Sequence, residues 1–169
     1  QQGYLGAGII LHGDQFEFNL FMLSRVADSM FWMSRYLERT DGILRMLRIN
    51  YAFSQDDRQG FNWSPVLRIF SYVKDSDIDK IKDNTRQVLN HMVLDRENDT
   101  SVFNIMTKAR KNARAVQDHI PKELWQCLND FYHLVRNDRL SSQLKNEDPV
   151  PVLDGLIRQG LLFYGTTEI

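Results

Sequence analysis

Two short stretches carry the residues best suited to chemistry. In "RYLER", Arg35, Glu38 and Arg39 fall three and four positions apart, which makes them neighbours on one flank of a helix. In "ARKNAR", Arg110 and Arg114 are four apart, with Asn112 between them. A guanidinium stays charged and matches carboxylates and phosphates in a bidentate fork, so such a pattern suits anion binding. A second use is amide chemistry at Glu38, the one candidate catalytic carboxylate. Arg35 and Arg39 should lower the pKa of Glu38, whereas a general base works best near the working pH, so an anchoring role is expected instead. The plain alternative is a solvated face, whose ion pairs contribute a few tenths of a kcal/mol each. Phe31, Trp32 and Met46 share the flank of Glu38, Arg39 and Arg45, so a second helix is expected to cover it, with the helices of Arg110 and of Trp125 as the contacts of Arg35 and Glu38.

Other chemistries find no support. His12, His91, His119 and His133 have no second ligand at a familiar metal-binding spacing, so no metal or cofactor is expected. "GAGIILHGD" fits neither glycine-rich phosphate loop. Cys127 stands alone, excludes an intrachain disulfide and reads as a buried small hydrophobe. Ser24, Ser29 and Ser34 read as ordinary helix serines.

The elements that must position these residues are helical. Leu23, Val26, Met30, Met33, Leu37, Leu44, Leu47 and Tyr51 recur at alternating steps of three and four, broken only by Thr40. This predicts a continuous helix over 22–53, about 45 Å long, with Gly42 as its weak point. A third function follows from the seam itself: a structural helix for oligomerisation. Residues 1–21 hold four of the nine glycines and the alternating "QFEFNLF", and read as an extended arm that need not be native. Further helices are expected from Pro65 to Val73, over 76–93, after a cap at Thr100 or Ser101, after Pro121 and after Pro151, the last broken near Gly160 or Gly165. "RNDRLSSQLKNEDPVP" reads as a polar connection. The expected fold is all-α, a bundle of about six helices built around the long N-terminal one.

The 169 residues fit one domain, and 43% hydrophobic with 25% charged residues is an ordinary globular composition. The net charge of −1 gives no electrostatic case for nucleic acid. No apolar run approaches the roughly 20 residues that span a bilayer, and no leader is read, so the expected compartment is the cytoplasm. The chain opens on Gln1, and a fragment or processed form is the expectation.

"MLSRVADSMFWMSRYLER" resembles the opening of the alpha-E domain, a bacterial helical family without an assigned activity, and "NDTSVFNIMTKARKNARAVQDHIPKELWQCLN" is similar to its second block. The usual forms are L-S-R, then W-x-x-R-Y-x-E-R-A-E, then a serine upstream of A-R-E-N-A-R, then W-x-x-L-N. Leu23, Ser24, Arg25, Trp32, Arg35, Tyr36, Glu38, Arg39, Ser101, Ala109, Arg110, Asn112, Arg114, Trp125, Leu128 and Asn129 match. Thr40, Asp41 and Lys111 depart from it, the last by charge reversal. The resemblance covers Met22 onward. It implies an accessory or binding module of small-peptide synthesis or modification, with a circularly permuted ATP-grasp ligase and a transglutaminase-like protein as partners. The implied polar network comprises Arg25, Trp32, Arg35, Glu38, Arg39, Arg110, Asn112, Arg114, Trp125 and Asn129. The family domain is about twice as long, so the chain reads as roughly its N-terminal half, with self-association through the surface that the rest would cover.

Overall fold

The apolar stripe of the first helix sets the architecture. In the computed structural model, which describes residues 7–56, 60–71 and 73–167 and the side chains of 17, 19–56, 60–71 and 73–166, α1 runs unbroken over Ala7–Asp56. Gly42 lies within it, and a Cβ there would meet nothing within 4 Å. Met33, Leu37, Leu44 and Leu47 are buried, as the spacing predicts. Each such side chain contributes roughly 1.5–3 kcal/mol on leaving water. They pack on α5 (Val102–Ala115) and α8 (Pro149–Thr167), while α6 (Lys122–Arg136) packs on both of those helices and closes a four-helix core. The α6 stripe Leu124, Leu128, Phe131 and Val135 is buried throughout.

Four short helices complete the bundle: α2 (Ser64–Phe70), α3 (Asp75–Ile81), α4 (Thr85–Val93) and α7 (Asp138–Asn146), with a 3-10 turn at Gln117–His119. Among the described residues there is no strand. Local chemistry fixes the joints. Trp63 is fully buried and its indole N–H donates to Thr85 Oγ1 at 3.0 Å, tying the entry to α2 onto α4. Ser101 is the cap of α5, with its hydroxyl accepting from Asn104 N–H at 3.2 Å. Asn98, buried in the turn before it, donates to the His91 carbonyl at 2.9 Å and accepts from Thr100 N–H and Oγ–H at 3.1 and 2.7 Å.

Several boundaries differ from the expectation of about six helices; eight α-helices are present among the described residues. "QFEFNLF" is helical and not extended, since helix α1 continues back to Ala7; the part of the arm at 1–6 lies outside the described residues. The helix expected over 76–93 divides at Asn84, whose side chain accepts from Gln87 N–H at 3.1 Å and caps α4. "DRLSSQLKN" is α7, because Leu140 and Leu144, four apart, suffice to bury one face. The last helix starts at Pro149, with Asp148 Oδ1 accepting from Val150 N–H at 3.0 Å, and continues past both glycines.

The N-terminal end of the α1 stripe is the largest departure. Leu23 is 66% exposed and Met30 is 39% exposed, and Leu20, Phe21 and Phe31 are also in solvent. Met33 is the first buried residue of α1 among those described, so the bundle covers only the part of α1 from there onward. No helix among the described residues is long and apolar enough to cross a membrane.

Candidate functional site: the cleft at the Glu-Arg pair

Trp32, Arg35, Tyr36 and Arg39 stand at i, i+3, i+4 and i+7 of α1 and so share a face. With Glu38 and Gly42, and with Ile69 and Phe70 at the end of α2, they line an open cleft of about 490 Å³. Gly42 offers no side chain, which leaves room between the helices. The Trp32 and Tyr36 rings are 5.9 Å apart and tilted by 32°, forming an aromatic wall. Ile69, 69% exposed, and Phe70 face it from α2.

The charges of the cleft do not cancel. Arg35 Nη1 donates to Glu38 Oε2 at 2.8 Å, an exposed pair. Arg39 has no ion-pair partner among the described residues. Two guanidiniums therefore face one carboxylate, a net charge of +1 along the lining. Glu38 is engaged with Arg35, an anchoring contact.

Below this face the helix turns inward. Asp41 Oδ2 accepts from Arg45 Nε at 2.7 Å, and Asp41 Oδ1 is buried without a partner. Thr40 is 1% exposed and its hydroxyl also lacks a partner. Burial, then the nearby carboxylates of Asp41 and Glu38, push the phenol of Tyr164 in α8 above its ordinary value.

The ten residues expected to form one network separate into two groups and three outliers. Trp32, Arg35, Glu38 and Arg39 line the cleft. Arg110, Trp125 and Asn129 form a second group between α5 and α6: Arg110 Nε donates to Asn129 Oδ1 at 2.9 Å, and its guanidinium lies 5.5 Å from the Trp125 ring centroid and 4.7 Å from that of Tyr132. Arg25 lies over Phe21 on the uncovered part of α1, at 5.7 Å. Asn112 donates to the carbonyl of Lys108 in its own helix at 3.0 Å, and Arg114 is exposed at the end of α5. Contrary to expectation, no ion pair or hydrogen bond among the described residues joins Arg35 or Glu38 to the helices of Arg110 and Trp125; the two pair with each other. Nor does a helix cover the flank, since Trp32 remains 45% exposed. The remaining arginines of the stretch are engaged elsewhere, Arg48 with Asp154 of α8 at 2.9 Å. Ile69, Phe70 and Tyr36 complete the cleft and were not among the expected residues. Tyr36 carries a spacing signal, one turn after Trp32, whereas Ile69 and Phe70 carry none.

Residues 22–169 match the family described as "A predicted alpha-helical domain with a conserved ER motif", and the chain belongs to this Alpha-E family. Glu38-Arg39 is the only Glu-Arg dipeptide in the sequence, so the named motif is the pair on the cleft. No curated protein and no solved structure matches the chain.

Proposed function

We propose that the Glu-Arg cleft of this chain is a binding site, itself non-catalytic, that holds the carboxylate of a small peptide. The observation that carries the reading is Arg39, a guanidinium of the cleft left without a carboxylate while its neighbour Arg35 is paired. A lining charge of +1 balances one carboxylate and falls well short of a nucleoside triphosphate. The aromatic and aliphatic walls at Trp32, Tyr36, Ile69 and Phe70 suit an apolar side chain beside that carboxylate. The module would serve a bacterial, cytoplasmic peptide-ligase system, with an ATP-grasp ligase and a transglutaminase-like protein as partners, since such enzymes make and process peptides of this kind.

Thermal titration tests the reading. Short peptides with a free C-terminal carboxylate should raise the melting midpoint, by the equivalent of about 2.7 kcal/mol at a hundredfold excess over the dissociation constant. The same peptides as C-terminal amides, and ATP, should not. Equal shifts from acids and amides, or none, would refute it. Co-purification with the ATP-grasp protein tests the partnership separately.

A further inference from the structure

Away from the Glu-Arg cleft, three residues from two elements form a line. Ser71 Oγ lies 3.1 Å from His91 Nε2, and His91 Nδ1 lies 2.8 Å from Asp95 Oδ2. A carboxylate only accepts, so His91 Nδ1 carries a proton and its N–H donates a hydrogen bond to Asp95; a triad requires the other ring nitrogen to be unprotonated. Nε2 is then the acceptor, and the Ser71 hydroxyl donates to it. Nucleophile, base and orienting acid therefore stand in the order and at the distances of an acyl-transfer triad.

Each member is held by contacts other than the triad itself. Ser71 ends α2 in extended backbone, at φ −128° and ψ 141°, and its N–H is satisfied by Leu67 O at 3.0 Å, which leaves the hydroxyl for His91. The His91 carbonyl accepts from buried Asn98 at 2.9 Å. Asp95 Oδ1 accepts from Glu97 N–H at 3.0 Å, so only Oδ2 turns to the imidazole. His91 and Asp95 line a cavity of about 510 Å³ together with Val73, Lys74, Asp77, Glu97, Asn98 and Asp99; Ser71, 7% exposed, is not part of that lining and meets it through its hydrogen bond to His91. Of the four carboxylates there, Asp77 pairs with Lys80 at 2.6 Å and Asp95 is engaged by His91, which leaves Glu97 and Asp99 against the one ammonium of Lys74.

We propose that Ser71, His91 and Asp95 form a second, catalytic site that hydrolyses acyl esters or amides whose acyl part carries a positive charge. This goes beyond the carboxylate-binding reading and uses none of its residues. As Ser71 Oγ bonds to the acyl carbon, its proton passes to His91 Nε2 and the carbonyl π pair moves onto oxygen. Return of that pair expels the alkoxide or amine, which takes the proton from His91. Water, deprotonated by the same nitrogen, then cleaves the acyl-serine, releases the acid and restores the hydroxyl. Asp95 stabilises the imidazolium during both steps.

The test uses the full chain, an alkyl fluorophosphonate, and thioesters of lysine and of glutamate. Intact mass and peptide mapping should show one phosphonyl adduct, on Ser71, with fluoride as the leaving group. Ser71→Ala should abolish it, and His91→Gln should slow it by about 100-fold or more. The lysine thioester should turn over at least about tenfold faster than the glutamate thioester, a difference of about 1.4 kcal/mol. A melting curve for each variant excludes loss of fold. Ser71→Cys supplies a second readout: its thiol should react with iodoacetamide faster than Cys127, and His91→Gln in that background should remove the difference. No adduct on Ser71, or labelling at the same rate with and without His91, overturns the proposal.

Discussion

Arg35 donates to Glu38 across one helical turn at 2.8 Å, and this bond decides the electrostatics of the Glu-Arg motif. Residues adjacent in a helix point in different directions, so Glu38 faces Arg35 at i−3 and not Arg39 at i+1. The motif thus separates its own charges: the glutamate is occupied by the earlier arginine, and the later one is left to the cleft.

Arg39→Gln is therefore expected to remove the carboxylate-dependent part of ligand binding while changing stability by less than about 0.5 kcal/mol, as for most surface substitutions. Calorimetric titration of acid and amide peptides against the variant checks it. Unchanged discrimination between the two would place the anion elsewhere.

The two arginine groups should differ in stability. The Arg35–Glu38 pair is more than half exposed at both side chains, so Arg35→Ala should cost no more than about 1 kcal/mol. Arg110 joins α5 to α6 by a hydrogen bond and two ring contacts, and Arg110→Ala should cost about 1–3 kcal/mol. Urea unfolding of both variants gives the comparison, and a larger loss at Arg35 would contradict it.

Thr40→Val should stabilise the protein by about 1 kcal/mol. The valine keeps the shape and removes a hydroxyl that is buried without a partner. A drop in melting midpoint would mean that this hydroxyl has a partner after all, such as a bound water.

Tyr164 gives the alkaline limb of stability its sign. Its folded pKa lies above the ordinary value near 10 because of burial and then the Asp41 and Glu38 carboxylates. Below about pH 10 the phenol is neutral in both states and its contribution is complete. As the pH rises from there the unfolded chain ionises first, so stability is lost until the folded phenol ionises too. Denaturant midpoints between pH 9 and 11 should fall with a gentler slope in Tyr164→Phe; identical slopes would exclude the tyrosine.

The parts legible in the sequence are those written as a helical period. Met33, Leu37, Leu44 and Leu47 gave both the helix and the core, and Trp32, Arg35 and Arg39 gave one wall of the cleft. Leu23 and Met30 continue the same period yet remain uncovered, because periodicity shows which face could be buried but not how far the neighbouring helices extend. Ile69 and Phe70 were hidden for a related reason: they meet α1 by packing, and no period along the chain records it. In Ser71, His91 and Asp95, only the i,i+4 step from His91 to Asp95 is visible along the chain. The serine arrives by packing, twenty positions earlier. The "QFEFNLF" alternation misled because a strand pattern of seven residues is overridden when the helix after it continues backward.

The three tryptophans occupy different surroundings: Trp63 is 1% exposed, Trp125 is partly buried, and Trp32 is 45% exposed on the cleft wall. Their emission should separate accordingly, with blue-shifted light from Trp63 that iodide and acrylamide scarcely quench, and red-shifted light from Trp32 that both reach. A peptide seated in the cleft would shield Trp32 and leave Trp63 untouched. Unfolding would expose Trp63 to both quenchers. The unmodified protein thus carries two optical reporters, one for occupancy of the cleft and one for integrity of the core.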